Sequence, residues 1–152
     1  VLFISLVSLI AFASFPRPGY NHHIVLILFI LIWSNDTFAY LTGKKFGKNK
    51  LSGSISPHKT WEGLAGGLFF TILASIVAFF ITHYLNMQIW ILLGILVSLA
   101  GTFGDLTESS LKRSAGVKES GSLIPGHGGA LDRFDSAIFV FPLVYAFLKL
   151  II

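Results

Sequence analysis

Seven acidic side chains carry the clearest sign of chemistry in this sequence, because they are few and all but one lie in or beside short polar stretches between long apolar runs. They are Asp36, Glu62, Asp105, Glu108, Glu119, Asp132 and Asp135. Asp105 and Glu108 share one helical face if their segment is helical, and Asp132 and Asp135 are likewise one turn apart. Carboxylates gathered in one place repel one another unless a cation lies between them. The pattern therefore predicts a cation site, and Mg²⁺ suits it because this ion combines a few carboxylates with water and phosphate oxygens.

The same polar stretches contain basic side chains, including Lys112, Arg113, Lys118 and Arg133. Arginine and lysine bind anionic oxygen groups, arginine with two parallel hydrogen bonds and lysine as a compact charge. A surface that combines carboxylates with these cations is suited to an oxygen-rich anion bound together with a metal ion. Phosphate is the ligand that this combination indicates first.

Two short stretches rich in Gly, Pro, Ser and Thr contain a histidine each. They read SPHKTWEG, with His58, and PGHGGALDR, with His127. Loops of this composition can turn successive backbone N–H groups toward a phosphate chain. A zinc site is disfavoured at either histidine, because no second His or Cys lies at zinc spacing.

The elements that must position these groups are membrane helices. The chain has 152 residues, of which 54% are hydrophobic and 12% charged, whereas soluble domains average about 25% charged residues. Five apolar runs predict helical spans, at residues 1–15, 24–42, 63–85, 89–103 and 136–152. In hydrocarbon only helices or closed barrels satisfy the backbone polar groups. We expect an all-α, polytopic transmembrane domain over residues 1–152, with two polar active-site loops at residues 43–62 and 114–135.

The distribution of basic residues predicts the orientation of this domain. Nine of the eleven Lys and Arg residues lie in the two polar loops or directly before the second one, and only Arg17 and Lys149 lie on the other side. By the positive-inside rule both loops are cytoplasmic. This predicts a multi-pass integral membrane protein with a cytoplasmic active site, on the inner membrane if the source is bacterial. Since the chain starts without Met, we also expect it to be the C-terminal part of a longer protein.

Asp36 differs from the other acids because it lies within an apolar run, LILFILIWSNDTFAY. A carboxylate at such depth costs about 2.5–3.5 kcal/mol on insertion scales and normally faces a bundle interior or a wet cavity. Simpler structural roles compete with a metal site elsewhere. Asp135 could cap the final helix, and Asp105 and Asp132 could form ion pairs with Lys112 or Arg133.

The stretch SSLKRSAGVKESGSLIPGHGGALDRFDS resembles the signature of the phosphatidate cytidylyltransferases, the CDP-diacylglycerol synthases. The upstream stretches DTFAYLTGKKFG and SPHKTWEG are also similar to that family, so the resemblance covers most of residues 35–136. Glu119 stands where the family pattern has Asp, and Ala130 where it usually has a larger apolar residue. The positions in register are Ser109, Lys112, Arg113, Lys118, His127, Gly128, Gly129, Asp132, Arg133 and Asp135.

The resemblance implies that CTP and phosphatidic acid react to give CDP-diacylglycerol and pyrophosphate, assisted by Mg²⁺. It implies Asp105 and Asp132 as metal ligands, with Asp36, Glu108 and Asp135 around them or on a second cation. It also implies two groups of phosphate-handling residues. One, from the downstream loop and the helix before it, is Lys112, Arg113, Lys118, Arg133, Gly128 and Gly129; the other, from the upstream loop, is Ser56, Lys59 and Thr60. His127, with the two glycines, shapes the turn that presents Asp132, and a role as general acid to the pyrophosphate stays open.

Other functions remain open at the level of sequence. A CTP-dependent polyisoprenol kinase or a cytidylyltransferase for an ether lipid would have a similar phosphate-binding face. A transporter is less consistent with the pattern, because transporters place charge near the bilayer midplane at broken helices. We expect membrane lipid but no nucleic acid as a partner. Gly94 and Gly101 indicate close helix packing, either within one subunit or across the seam of a homodimer.

Overall fold

The computed structural model describes residues 22–52, 56–117 and 131–151, together with Ser5, Val7, Ser8 and Ile10. The described elements are four helices and one hairpin. We number them α1 (His22–Phe46), β1 (Lys50–Ser52), β2 (Ser56–Thr60), α2 (Trp61–Thr82), α3 (Met87–Ser114) and α4 (Leu131–Ile151). The expected all-α architecture is confirmed, and the hairpin is a small addition within the first polar loop.

Each of the four helices in the described part of the chain is long and apolar enough to cross a membrane. They correspond to the last four of the five predicted spans. The first predicted span lies outside the described residues except for four positions, and these four are helical. Helices α1, α3 and α4 extend beyond the predicted spans on the side of the polar loops, because hydropathy marks only the part of a helix that is apolar.

Neighbouring helices along the chain pack against each other, α1 on α2, α2 on α3, and α3 on α4. Small residues allow the close approaches. Gly94 faces Ser75 and Ile72 of α2, and Gly101 faces Ser136 of α4. Both glycines therefore serve contacts within one subunit, and their presence no longer argues for a dimer seam.

Large apolar side chains fill the bundle on the side away from the polar loops. Among the most buried are Leu28, Leu31, Trp90, Leu93, Val97, Val144 and Leu148. We call this half the packed end. In lipid, such a core stabilises the bundle mainly through van der Waals contact between helices.

Helix α4 contains Pro142, which cannot donate a backbone hydrogen bond to the carbonyl of Ile138 one turn earlier. The hydroxyl of Ser5 donates to this carbonyl at 2.6 Å. An N-terminal helical residue thus supplies the partner that the proline removes, as is usual where proline occurs within a membrane helix.

The hairpin joins α1 to α2 and is fastened to the first turn of α2. Its strands pair antiparallel, with Lys50 opposite Thr60. The Asn49 side-chain amide donates to Glu62 Oε1 at 2.9 Å, and the Trp61 N–H donates to the Asn49 carbonyl at 3.0 Å. Among the seven acids, Glu62 had no predicted role. In the structure it anchors the hairpin.

Candidate active site

A cavity of about 260 Å³ opens between α1, α2, α3 and the hairpin. It lies on the side of the polar loops, and we call this half of the bundle the cavity end. Polar side chains from α1, the hairpin and α3 line it, and α2 contributes Gly63 and Leu64; the polar ones include Asn35, Asp36, Ser56, His58, Lys59, Thr60, Thr102 and Asp105. Of the predicted site residues, the structure thus brings Asp36, Ser56, Lys59, Thr60 and Asp105 together around one space.

Lys59 of β2 and Asp105 of α3 form an ion pair in the wall of the cavity. The other carboxylate oxygen of Asp105 accepts a hydrogen bond from the Ser109 hydroxyl at 3.2 Å. Sequence reasoning offered Lys112 or Arg133 as the partner of Asp105. Among the described side chains Asp105 pairs with Lys59, and Lys112 lies 3.4 Å from Glu108 of its own helix. The side chains of Asp132 and Arg133 are not described, so their ion pairs stay a prediction.

Asp36 lines the cavity from α1, as expected for a carboxylate at its depth. Its neighbour Asn35 donates from Nδ2 to Asp36 Oδ1 at 3.3 Å. Lys59, Asp105 and Asp135 all lie within electrostatic range of Asp36. The carboxylates of three different helices are therefore neighbours at the cavity end, with one lysine among them.

Asp135 approaches the same region from α4. It is near both Asp105 and Glu108 of α3, and its Oδ1 accepts the Ser136 N–H at 2.6 Å. The alternative that Asp135 caps the final helix is wrong, because α4 begins at Leu131 and Asp135 lies inside it.

Glu108 and Lys112 lie further along α3, with the Glu108 side chain almost fully buried. The condition under which Asp105 and Glu108 share one helical face is met, because α3 continues to Ser114. Arg113 is not brought to the cavity. It is exposed and donates to the Val117 carbonyl at 3.5 Å, beyond the end of its own helix.

Ser56 and Thr60 come from the hairpin strand that also carries Lys59. The Thr60 hydroxyl oxygen accepts the Gly63 N–H at 3.0 Å and so caps α2. This capping bond fixes the end of β2 and the first turn of α2 relative to each other. Lys59 is thereby held over the cavity.

Several predicted site residues lie outside the described part of the chain. They are Lys118, His127, Gly128 and Gly129. The backbone of Asp132 and Arg133 belongs to the first turn of α4, but their side chains are not described. The predicted approach of Asp132 to Asp105 therefore stays a prediction.

The donor chemistry of the cavity end fits a magnesium ion. Among the described side chains, no three acidic or histidine groups are close enough to hold a metal by themselves. Mg²⁺ needs only one or two carboxylates when water and substrate phosphates complete its shell. Asp105, with Asp135 of α4 near it, offers carboxylate oxygens of this kind.

Sequence reasoning missed Asn35, which lies in the cavity wall and is only 3% exposed. The sequence did contain a signal for Asn35, since an amide side chain within an apolar run needs a hydrogen-bond partner. The pairing of Lys59 with Asp105 was also missed. These residues are far apart in sequence, and no spacing rule relates a hairpin to the end of a membrane helix.

Fold and cavity together define a polytopic helical membrane protein with a polar, charged cavity at one end of its helices. A profile described as the Cytidylyltransferase family matches residues 1–151. The chain belongs to this family.

Relatives of known name agree with that assignment. Over 124 residues the chain is 51% identical to a phosphatidate cytidylyltransferase of Staphylococcus aureus (strain COL), covering 80% of this chain and 47% of that protein. Over 124 residues it is 49% identical to the phosphatidate cytidylyltransferase of Staphylococcus haemolyticus (strain JCSC1435), with the same two coverages. The chain spans about half the length of the curated relatives it matches.

Proposed function

We propose that this protein transfers the cytidylyl group of CTP to phosphatidic acid, giving CDP-diacylglycerol and pyrophosphate. The observation that carries the proposal is the cavity at the polar ends of membrane helices, where Lys59 meets Asp105 beside Asp36. The name of the relatives, phosphatidate cytidylyltransferase, supports the same substrates. One substrate is dissolved in water and the other in the bilayer, so the reaction belongs where the two phases meet.

The proposed reaction needs no strong base. An oxygen of the lipid phosphate, already ionised near neutral pH, forms a bond to the α-phosphorus of CTP. The bond from that phosphorus to the oxygen bridging the α- and β-phosphates breaks, and its electron pair leaves with pyrophosphate. The main obstacle is repulsion between two polyanions, so catalysis rests on positioning and on charge neutralisation.

The residues of this chain divide that work. Lys59 neutralises phosphate charge from the hairpin, and the Ser56 and Thr60 hydroxyls are placed to donate to phosphate oxygens on the same side. Lys112 neutralises phosphate charge from α3. We assign the remaining phosphate contacts to Lys118 and Arg133, with His127, Gly128 and Gly129 forming the turn before Asp132.

Asp105 and Asp132 are the proposed ligands of a magnesium ion. Asp36, Glu108 and Asp135 would surround it or hold a second cation. When bound, the ion supplies positive charge to the phosphate oxygens. The carboxylates keep that charge at the boundary between membrane and water, on the side that the positive-inside rule makes cytoplasmic.

Asp105→Asn tests the proposal most directly, because it keeps the size of the side chain and removes its charge. We expect CDP-diacylglycerol formation to fall at least about 100-fold, the usual scale for losing a main electrostatic contributor. The assay incubates the complete protein with labelled CTP, phosphatidic acid and Mg²⁺, and measures label in the lipid extract. Thr107→Val is the matched control, since Thr107 is exposed on the same helix and bonds only within it.

Three outcomes would contradict the proposal or part of it. Equal labelling by Asp105→Asn would remove the metal assignment. Full activity after chelation of divalent cations would do the same. Label that enters lipid only with a polyisoprenol acceptor, as transferred phosphate and not as cytidine, would replace the cytidylyltransferase by a CTP-dependent kinase.

A further inference from the structure

The Asn35 side chain lies where three membrane helices meet. It projects from α1 between a glycine of α2 and a glycine of α3. A methyl group on Gly67 would lie 2.8 Å from Asn35 Oδ1, and one on Gly101 would lie 3.8 Å from Asn35 Nδ2. The bundle therefore makes room for this amide, with Gly67 giving the closest approach.

Such a residue is costly unless its polar atoms are used, because a buried amide without partners loses its hydrogen bonds to water. Asn35 is 3% exposed. Polar side chains in membrane bundles usually bond across to another helix. Asn35 Nδ2 donates instead to its own neighbour, Asp36, and Asn35 Oδ1 has no hydrogen-bond partner among the described residues. Joining helices is thus a poor explanation for it.

The bond from Asn35 fixes one oxygen of a carboxylate that lines the cavity. Asp36 is exposed there and faces the charges of Lys59, Asp105 and Asp135. An aspartate on a helix can rotate about its side-chain bonds. A hydrogen bond from the buried Asn35 amide to Asp36 Oδ1 limits that rotation. Because the carboxylate is rigid, fixing Oδ1 also fixes the direction of Oδ2. Hydrogen bonds to metal-binding carboxylates act in this way in other sites.

We propose that Asn35 is a positioning residue that orients the Asp36 carboxylate toward the cation of the cavity end. This inference rests on the proposed function, because it takes Asp36 to act on a bound divalent ion. It assigns Asn35 no contact with CTP or with the lipid. Gly67 has a supporting role, since only a residue without a side chain leaves space for the amide.

The test is a double-mutant cycle with Asn35→Leu and Asp36→Asn in the complete protein. Two quantities are measured: the Mg²⁺ concentration for half-maximal activity, and Mn²⁺ binding by electron paramagnetic resonance without substrate. We expect Asn35→Leu to weaken both about tenfold, the lower end of the effect of such supporting residues, with kcat at saturating Mg²⁺ changed less than about twofold. In the Asp36→Asn background, Asn35→Leu should add nothing.

Ser98→Ala is the matched control, because the Ser98 hydroxyl is buried in α3 with no hydrogen-bond partner among the described residues and Ser98 does not line the cavity. It should leave Mn²⁺ binding unchanged. Asn35→Ala replaces Asn35→Leu if leucine prevents folding. Additive losses in the cycle, or unchanged Mn²⁺ binding in Asn35→Leu, would overturn the inference. The Mn²⁺ measurement needs no turnover, so failure of the proposed reaction in wild type is seen separately.

Discussion

At the packed end the four helices bury large apolar side chains, such as Leu28, Trp90 and Leu148. At the cavity end the same helices bury small or polar residues instead, including Asn35, Gly67 and Gly104. The change occurs within single helices, a few turns apart. A helix that contributes Leu28 and Leu31 to the core thus contributes Asn35 and Asp36 to the cavity wall one to two turns later.

This difference separates two tasks along the membrane normal. The packed end supplies the van der Waals contact that holds helices together in lipid. The cavity end leaves space unfilled and keeps charges close to one another, which costs stability. Variants at the two ends should therefore change different measurements. At the cavity end we expect changes in turnover and cation use, and at the packed end in the temperature of unfolding.

After Asp105→Asn, the largest loss of activity is expected for Lys59→Met. Methionine keeps the length of the side chain but removes the charge that pairs with Asp105 and faces phosphate. We expect kcat/KM for CTP to fall about tenfold, equivalent to about 1.4 kcal/mol. The measurement is steady-state formation of labelled CDP-diacylglycerol over a range of CTP concentrations.

Lys50→Met is the control for Lys59→Met, because Lys50 lies on the partner strand of the same hairpin and is exposed outside the cavity. It should behave as wild type. If both variants lost activity equally, the effect would belong to the general charge of the loop. The Lys59–Asp105 pair would then have no special role in the cavity end.

At the packed end, we expect Leu93→Ala to lower stability and leave substrate binding unchanged. Leu93 is 1% exposed, and truncating a buried leucine costs about 2–5 kcal/mol in well-packed cores. We expect thermal unfolding in detergent to shift downward by several degrees, measured by loss of the monodisperse peak in size-exclusion chromatography. The KM for CTP of the folded fraction should stay within about twofold of wild type, as for other changes remote from a site.

Leu92→Ala is the control for Leu93→Ala, since Leu92 is 46% exposed on the same turn of α3. It removes the same atoms without removing buried packing contacts. A large rise in the KM for CTP in Leu93→Ala would show that the two ends are coupled. The separation of tasks between them would then be wrong.

Much of the fold was accessible from sequence, because membrane helices are specified by composition over long windows. The last four predicted spans all correspond to observed helices. Their ends at the polar loops were misplaced, as with α3, which continues from 103 to Ser114. Hydropathy falls where polar residues begin, whereas the backbone hydrogen bonds of a helix continue into water without penalty.

The site was predicted less completely, for a physical reason. Asp36, Lys59 and Asp105 were identified by type and by their motifs, and they do line one cavity. Their partners depend on how helices and hairpin pack, and local spacing carries no information about that. The pairing of Lys59 with Asp105 depends on where the hairpin places Lys59, and Arg113 lies outside the cavity because it sits at the exposed end of α3.

The smallest expected effect concerns Thr60, where the two tasks meet in one hydroxyl. Its oxygen accepts the Gly63 N–H at 3.0 Å as the cap of α2, so its proton stays free to donate to a phosphate. Thr60→Val removes both interactions with little change in shape. We expect a loss of about 1 kcal/mol in stability from the missing cap, seen as a small shift in the same chromatographic assay.

A rise of about threefold in the KM for CTP should accompany that shift in Thr60→Val, the scale of one modest neutral hydrogen bond. Thr60→Ser keeps the hydroxyl and should restore both quantities, which excludes a loss due to altered packing of the hairpin. If valine lowered stability while the KM stayed at the wild-type value, Thr60 would act only as a cap. The proposal that Thr60 contacts the substrate would then be wrong. Of the three proposed hairpin residues, only Ser56 and Lys59 would remain as phosphate-binding residues.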